Sequence, residues 1–328
     1  MRYFISGLCG FVGSHMADFL IKKEIDSIIY GIKRWRSDTA NVKHLLDNRR
    51  VTFLEADLLD RNSLDRSLQI AKPDVIYHFA SQSSPQASFK VPVKTLMTNV
   101  IGTTNLLESI RINSPESLII SISSSEVYGQ PLKNEIPIKE TNPFRAANPY
   151  SISKTGHDFI SQYYRDAFGL KIIITRLFSH EGARRSNEFA LSGFAFQIVK
   201  HEKNYINDKI SRKSIYVGNL ESIRTYSHVS DAVLAYYLCK EKGKIGEIYN
   251  ISGNDVATVG DALEPLLKKS IIPRDKFDII IDPERIRPTD ITLQIADCSK
   301  FKKDTGWEPK KGLREICEDL LSYWREQL

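Results

Sequence analysis

Residues 3–13 read Tyr3-Phe4-Ile5-Ser6-Gly7-Leu8-Cys9-Gly10-Phe11-Val12-Gly13, so an apolar run passes directly into three glycines spaced G-x-x-G-x-x-G. Glycines in such a turn let the backbone bend tightly, approach a pyrophosphate and pack a helix against the strand, and the helix N-terminus then faces the phosphate charge. The spacing therefore predicts a dinucleotide site, although a glycine turn can also form without a ligand. The residues expected to contact the dinucleotide are Gly7, Gly10, Phe11, Val12 and Gly13.

The glycine turn opens a regular alternation of strands and helices. Short runs rich in β-branched residues and bounded by turn residues predict strands at Tyr3–Ser6, Ser27–Tyr30, Val51–Leu54, Val75–Phe79, Leu118–Ser121 and Ile172–Leu177. Segments of helical length between them include His15–Lys22, Val93–Arg111 and Tyr150–Phe168. This alternation predicts an α/β fold with a Rossmann-type, doubly wound parallel sheet that is covered on both faces.

After Phe178 the pattern becomes irregular, with later strands near Ser214–Val217 and Glu247–Ser252 and helices near Val259–Lys269 and Leu313–Leu328. We therefore expect a smaller C-terminal α/β lobe that binds the substrate. The predicted division gives residues 1–178 and about 224–250 to the dinucleotide-binding domain, and residues 179–223 and 251–328 to the second lobe.

The end of the second strand indicates which dinucleotide binds. No carboxylate stands there to hold a ribose 2′-hydroxyl, whereas Lys33, Arg34 and Arg36 can meet a 2′-phosphate. The sequence thus favours NADP over NAD without excluding NAD, and a solvated basic loop would give the same pattern. Asp57, after the third strand, is placed to meet the adenine, or else to cap the next helix.

Tyr150 and Lys154 are four residues apart in Tyr150-Ser151-Ile152-Ser153-Lys154, which places both on one face of a helix. A cation beside a phenol stabilises the phenolate, so this pair can act as a base toward a hydroxyl group. The same lysine can hold the nicotinamide ribose. Taken alone the pair is more often structural, and its interpretation depends on the neighbouring motifs.

A second polar segment, Ser121-Ile122-Ser123-Ser124-Ser125-Glu126, follows the fifth predicted strand. It lies at the carboxyl edge of the sheet, where open α/β folds bind their ligands. There Ser124 can hydrogen-bond a reacting hydroxyl, and Glu126 can exchange protons with a substrate in a partly dry cleft. A serine-rich turn with an exposed glutamate is the alternative.

Composition restricts the remaining classes. The net charge of +6 is spread along the chain, so a nucleic-acid partner is not required. Cys9, Cys239, Cys298 and Cys317 show no C-x-x-C spacing, which favours reduced cysteines over a disulfide framework or a metal site. No apolar stretch is long enough to span a membrane, and the glycine motif leaves no room for a signal peptide. We expect a cytoplasmic protein without bound metal.

Together these motifs, with Tyr249-Asn250-Ile251-Ser252-Gly253, resemble the extended short-chain dehydrogenase/reductases, which include the nucleotide-sugar epimerases and dehydratases. The similarity covers essentially the whole chain and is greatest to the branch of GDP-mannose 4,6-dehydratases and GDP-4-keto-6-deoxymannose reductases. The narrower match is carried by Gly31–Arg34, Phe178–Glu181 with Arg184-Arg185, Gly218–Glu221 with Arg224, and Arg287–Asp290 leading to Gly306–Pro309.

The resemblance implies a role for several further residues. The cofactor site would include Leu58, Ala80, Ser81 and Gln82. A nucleoside-diphosphate sugar, GDP-linked according to this resemblance, would lie between the lobes with its diphosphate facing Arg224 and Arg287, unless these arginines only form ion pairs between the lobes. The substrate-binding residues implied are Ser83, Ser179, Glu181, Arg185, Asn219, Arg224 and Arg287. His180 is expected to be a structural residue or part of the substrate loop.

The implied reaction is oxidation of the sugar at C4, with Tyr150 taking the hydroxyl proton, followed by loss of water between C5 and C6 with help from Glu126. The alternative is a C4 dehydrogenase, 4-keto reductase or epimerase that acts on a GDP-hexose or GDP-heptose without dehydration, as in capsule or lipopolysaccharide synthesis. Positions that depart from the dehydratase pattern keep this alternative open: Trp35, Ser81, Ser84, Ser124, Ser179 and Gly193. A homodimer or homotetramer is expected, paired through Val93–Arg111 and Tyr150–Phe168.

Overall fold

The computed structural model describes residues 1–205 and 210–328. A parallel sheet of seven strands runs through the first lobe in the order β10-β6-β5-β4-β1-β2-β3. The strands are β1 (Arg2–Ser6), β2 (Ile28–Lys33), β3 (Val51–Glu55), β4 (Val75–His78), β5 (Leu118–Ile122), β6 (Ile172–Leu177), β7 (Ser179–Glu181), β8 (Lys213–Val217), β9 (Ile223–His228), β10 (Ile248–Ile251), β11 (Asp255–Thr258), β12 (Phe277–Ile281) and β13 (Leu293–Gln294). The predicted Rossmann-type fold is confirmed.

Helices cover both faces of this sheet. Helices α1 and α8 pack against each other on one face, and α2, α5 and α6 pack together on the other. The helices are α1 (Phe11–Lys23), α2 (Arg61–Ala71), α3 (Pro85–Lys90), α4 (Pro92–Leu96), α5 (Gly102–Asn113), α6 (Pro149–Phe168), α7 (Ala190–Tyr205), α8 (Val229–Lys242), α9 (Val259–Lys268), α10 (Ser299–Thr305) and α11 (Leu313–Gln327). Because both faces are covered, the central strands are buried almost throughout, which explains their unbroken apolar runs.

The helix predicted over Val93–Arg111 is not continuous. A turn of π-helix, Met97–Ile101, separates α4 from α5. This wider turn carries Asn99, which is fully buried and faces the loop after β4. π-Turns inside helices often lie at functional sites, and a 3.6-residue periodicity does not reveal them.

The second lobe is built from small sheets and three helices. Strand β9 pairs with β7, β11 and β13, while β8 pairs with β12. Helices α7, α9 and α11 pack around an apolar core that includes Phe194 and Leu320. The chain returns to the first sheet with α8 at Val229, a few residues after the re-entry predicted near residue 224. Near the C-terminus α10 also packs on β10 and α8 of the first lobe.

Helix α6 is fixed at both ends and in the middle. It begins at Asn148, whose side chain accepts a hydrogen bond from the Ser151 amide at 2.8 Å, and it ends at Gly169 with φ of 70°. In its middle Asp158 forms two hydrogen bonds with Arg176 of β6, at 2.8 and 3.0 Å, in a fully buried ion pair. These contacts determine the position of every side chain on the buried face of α6.

Among the described residues, no helix is both long enough and apolar enough to cross a membrane.

Candidate active site

The glycine turn lines a cavity of about 590 Å³ at the carboxyl edge of the first sheet. A Cβ on Gly13 would lie 2.2 Å from the Gly7 carbonyl oxygen, and one on Gly7 would lie 2.8 Å from the Ala80 amide nitrogen. Gly7 also has φ of 75°, a conformation that favours glycine. Only glycine therefore fits these two positions of the turn.

The turn leads into α1 without a side-chain cap and without an acidic residue in the first turn of the helix. The first amides of a helix have no partner within the helix, and the positive end of its dipole attracts anions. Since Phe11, Val12 and Gly13 all line the cavity, the amides of this first turn are available to an anionic group there, whereas the Gly10 amide donates to the Gly7 carbonyl. The site fits the pyrophosphate of a dinucleotide.

The remaining residues predicted to bind the cofactor line the same cavity. They are Lys33, Arg34, Arg36, Asp57, Leu58, Ala80, Ser81, Gln82, Tyr150 and Lys154. Asp57 accepts a hydrogen bond from the Leu59 amide at 3.0 Å, while the cap of α2 is Asp60. The alternative reading of Asp57 as the helix cap is therefore wrong.

Tyr150 and Lys154 lie on the buried face of α6, as their spacing predicted. The ammonium of Lys154 donates a hydrogen bond to the carbonyl of Ile122 at the end of β5, at 2.7 Å. Burial lowers the pKa of Lys154 to about 7, and the charge of Asp158 one turn later offsets part of that shift. The ammonium is thus held at the sheet edge, beside the cavity.

The pKa of Tyr150 depends on other neighbours than the sequence suggested. Burial raises the pKa to about 12, a hydrogen bond with Ser124 lowers it, the Glu126 carboxylate raises it and the Arg185 guanidinium lowers it. In the sequence argument Lys154 supplied the positive charge that favours the phenolate. In the structure the cation acting on Tyr150 is Arg185, which lies in the loop after β7.

A buried network of polar side chains sets the register of α6 beneath the cavity. Asn99 donates to Ser153 at 2.8 Å and exchanges two hydrogen bonds with the backbone of Gln82. Thr103 contacts both His78 and His157 at 2.9 Å. Burial lowers the pKa of each histidine, so both rings are neutral, and the network ties α6 to the loop that lines the cofactor cavity.

A second cavity, of about 450 Å³, opens between the two lobes. All residues predicted to bind the substrate line this cavity: Ser83, Ser179, Glu181, Arg185, Asn219, Arg224 and Arg287. Ser124, Glu126 and Tyr150 line it as well. Glu126 accepts a hydrogen bond from the Asn148 side chain at 3.1 Å. The Glu126 carboxyl and the Tyr150 side chain thus share this cavity.

Two arginines of the second cavity are held by a carboxylate that the sequence analysis did not single out. Asp290 lies 3.9 Å from Arg224 and 3.7 Å from Arg287, and it also accepts hydrogen bonds from Asn219 and Ser222. Arg224 donates in addition to the carbonyls of Ile223 and Ile291. Both arginines thus form their ion pairs with Asp290, inside the second lobe. These ion pairs do not connect the two lobes.

The two cavities meet at a small group of shared residues. Those that line both are Ser83, Ser124, Tyr150, Leu177, His180 and Arg185. A ligand in each cavity would therefore approach the other at the Tyr150 hydroxyl. His180 stacks on Phe11 of the glycine turn with ring centroids 5.7 Å apart, and burial lowers its pKa to about 3, so it is a neutral residue of the junction.

Some residues of the first cavity gave little signal in the sequence. Tyr236 of α8 and Ser123 line the first cavity, and both hydroxyls are buried without a hydrogen-bond partner among the described residues. Tyr236 belongs to an apolar helix that reads as core. Ser123 stands in the serine-rich segment, and its neighbour Ser124 was the residue singled out.

Comparison with known proteins agrees with this geometry. The family model described as GDP-mannose 4,6 dehydratase matches residues 4–320.

The chain belongs to the GDP-mannose 4,6-dehydratase family.

Members of this family and of its wider fold match nearly the whole chain. The GDP-mannose 4,6-dehydratase of Yersinia enterocolitica is 30% identical over 354 residues, which cover 97% of this chain and 92% of that protein. The GDP-6-deoxy-D-mannose reductase of Pseudomonas aeruginosa is 25% identical and covers 100% and 98%. The structure of UDP-glucose 4-epimerase of Thermotoga maritima with UDP-glucose has a TM-score of 0.87 at 25% identity, covering 100% and 99%.

The predicted resemblance to the extended short-chain dehydrogenase/reductases is confirmed, and this member of the dehydratase family is an NAD(P)-binding enzyme that acts on a nucleotide sugar. The first cavity, with its glycine turn and uncapped helix, is the part of the chain that fits NAD(P).

Burial of Lys154 predicts a pH-dependent stability. Its pKa falls from 10.5 to about 7 on folding, so between these values the unfolded chain binds more protons and the wild type becomes more stable as the pH rises. Replacing Lys154→Met removes this dependence. The stability of the variant relative to the wild type should therefore fall by about 1–2 kcal/mol between about pH 7 and pH 9, measured by urea unfolding.

Lys139→Met, at an exposed lysine, is the control. If the difference in the free energy of unfolding between Lys154→Met and the wild type stays constant with pH, Lys154 remains charged when buried.

Proposed function

We propose that the chain oxidises C4 of a GDP-mannose-type sugar and then removes water between C5 and C6, as a GDP-mannose 4,6-dehydratase does. The observation that carries this proposal is the junction of the two cavities at Tyr150, with Glu126 in the second cavity beside it. A reductase or epimerase needs the tyrosine as well, but loss of water also requires a group that can take the proton from C5. Glu126 can take this proton, and the match to the GDP-mannose 4,6-dehydratase family supports this second step.

The chain's own residues then have distinct tasks. Tyr150 takes the proton of the C4 hydroxyl, Ser124 hydrogen-bonds that hydroxyl, and Arg185 supplies positive charge at the junction. Lys154 lines the first cavity, where it can hold the nicotinamide ribose. The Glu126 carboxylate takes the C5 proton, which the neighbouring C4 ketone makes acidic. Bound NAD(P) supplies the hydride acceptor for C4 and the hydride donor for C6, so no cofactor is consumed overall.

A GDP-linked substrate is supported by two groups of side chains. Arg224 and Arg287 lie together in the second cavity and suit the oxygens of a diphosphate. Asp282 and Glu284 line the same cavity, and carboxylates match the adjacent N–H donors on the Watson–Crick edge of guanine. The family match points to the same nucleotide.

Incubation of the purified protein with GDP-mannose should give a product that is lighter by one water. Mass spectrometry of the reaction mixture measures this loss. Tyr150→Phe should lower the rate by about 10²- to 10⁴-fold, because the proton acceptor for C4 is lost. Tyr216→Phe, at an exposed tyrosine outside both cavities, should retain the wild-type rate. An unchanged GDP-mannose pool with active wild-type protein would instead favour a GDP-hexose or GDP-heptose dehydrogenase, reductase or epimerase.

We propose that NADP is the preferred cofactor. Lys33, the last residue of β2, lines the first cavity, as do Arg34 and Arg36 just after it, and no carboxylate follows that strand directly. A 2′-phosphate would receive charge-assisted hydrogen bonds from these side chains.

Replacing Arg34→Ser with Arg36→Ser should weaken NADPH binding about 10-fold or more, because hydrogen bonds to charged groups are lost, and should leave NADH binding nearly unchanged. Titration calorimetry with both cofactors measures the difference. The matched control is Arg49→Ser with Arg66→Ser, which removes two exposed arginines outside the cavity. Equal loss for both cofactors would contradict NADP selectivity.

We propose that two copies pair through α4, α5 and α6. These helices and the π-helical turn between α4 and α5 leave a set of large apolar side chains more than one third exposed: Val93, Leu96, Met97, Ile101, Ile112, Ile152, Phe159, Tyr163 and Phe168. Ile152, Phe159 and Tyr163 recur at helical spacing on α6, opposite its buried face, and such exposed patches are typical of subunit interfaces. Sedimentation velocity should give the mass of a dimer or tetramer, and a monomer at micromolar concentration would contradict the proposal.

We further propose that the lobes divide the work. Residues 1–178 with α8, β10 and α10 would form the NAD(P)-binding domain. The other residues from 179 to 328, which include β9, would form the nucleotide-sugar lobe. Support comes from the two apolar cores, since Tyr236, Phe301 and Trp307 pack in the core of the first sheet, whereas Phe194 and Leu320 pack in the second. Hydrogen exchange with GDP added should protect mainly the second lobe.

We also propose a cytoplasmic location. The four cysteines are free, and three of them are buried, as expected in a reducing compartment. Cell fractionation would test this, and recovery with an extracytoplasmic fraction would contradict it.

A further inference from the structure

Glu181 is a buried carboxyl that no contact of the fold requires. It ends β7, is 6% exposed and lines the second cavity together with Tyr150 and Glu126. Its Oε2 atom has no hydrogen-bond partner among the described residues, and neither has Nε of Arg185. These two atoms are 3.8 Å apart, close enough for an ion pair but too far for a hydrogen bond. A buried polar atom left in this way is costly unless a ligand uses it.

The loop that follows Glu181 is held in place by contacts with helices of both lobes. The Ala183 amide donates to Asp319 of α11 at 2.7 Å, and the Ala183 carbonyl contacts His15 of α1 at 2.9 Å. Arg184 pairs with Asp18 of α1 at 2.7 Å. The loop after β7 is therefore tied to both lobes, and Glu181 is held at the wall of the cavity.

The burial of Glu181 keeps a large fraction of its carboxyl protonated near neutral pH. Burial raises the pKa of Glu181 to about 7, and the Arg185 charge offsets part of that shift. From β9 the register partner His228 and the phenol of Tyr226 face it, and from α11 the thiol of Cys317 does. Arg185 also lowers the pKa of Tyr150, so its charge reaches both Glu181 and the proposed base.

Loss of water from the sugar requires two proton transfers. One group must take the proton from C5 and another must give a proton to the C6 oxygen, because hydroxide is a poor leaving group. Two carboxyl groups in different environments can divide these tasks, one ionised and one protonated. Glu126 lies beside Asn148 and is partly solvated, whereas Glu181 is enclosed.

We propose that Glu181 is the general acid that protonates the departing C6 hydroxyl, while Glu126 is the base that takes the C5 proton. This inference rests on the proposed dehydration. The C5–H bond breaks and its electron pair forms the C5=C6 double bond. The C6–O bond breaks, and the oxygen takes the proton of Glu181 and leaves as water. Glu181 is then a carboxylate, and the proton that Tyr150 took from the C4 hydroxyl restores it. When C6 receives the hydride, Glu126 returns its proton to C5, so both carboxyl groups end the cycle as they began it.

The test uses a leaving group that needs no acid. Fluoride is a much weaker base than hydroxide, so GDP-mannose carrying fluorine in place of the C6 hydroxyl can lose fluoride without a proton donor. Glu181→Gln should lower kcat/KM for GDP-mannose by about 100-fold or more and for the fluoro analogue by less than about 5-fold. Glu126→Gln, the matched control, should lower both, since both substrates lose the C5 proton.

Equal losses for both substrates in Glu181→Gln, or no loss for either, would overturn the assignment; equal losses that appear in KM alone would make Glu181 a binding residue. A second measurement does not depend on turnover. Infrared difference spectra between the wild type and Glu181→Gln should show a protonated carboxyl near neutral pH, and an ionised one would also overturn the proposal. A wild type that processes neither substrate would contradict the proposed function itself, and the spectra would still decide the state of Glu181.

Discussion

Helix α6 can occupy only one position against the sheet, and the candidate site depends on that constraint. Solvent does not reach the buried ion pair between Asp158 and Arg176, so displacing either charge would leave the other uncompensated in an apolar environment. The guanidinium also donates to Tyr128 and lies 4.5 Å from the ring centroid of Phe144. Through these contacts α6, β6 and the segment after β5 form one unit, and Tyr150, Lys154 and Ser124 keep fixed relative positions.

The first lobe could be predicted from sequence because its signals are local. Each strand is a short apolar run between turn residues, and the strands found in the structure begin and end within a few residues of the predicted ones. The second strand is longer than predicted and continues to Lys33, which places the basic residues directly at the sheet edge. It was harder to predict the residues that would contact the nucleobase and the sugar, and the cation that acts on Tyr150. These residues come from segments that are far apart in the chain.

The second lobe shows why prediction became weaker there. Strands β7, β11 and β13 are only two to four residues long, and their pairing partners lie in distant segments. Such strands are held by tertiary packing, and periodicity cannot reveal them. The helices α7 and α8 were not identified, since α8 is apolar on most sides and lies in the core. Asp290, which holds two arginines, is likewise recognisable only once the loops are brought together.

Arg185 borders both cavities, and its cation touches the rings of Phe11 and Phe189 on either side of the junction. A ligand that draws this guanidinium toward one cavity changes the electrostatic potential in the other, so the affinities of the two ligands are thermodynamically linked. Linkage of this kind is reciprocal: the factor by which the bound sugar nucleotide changes the affinity for the dinucleotide equals the factor by which the bound dinucleotide changes the affinity for the sugar nucleotide. In an enzyme that must reuse the same hydride within one turnover, one shared side chain thereby makes the occupancy of each cavity depend on the occupancy of the other.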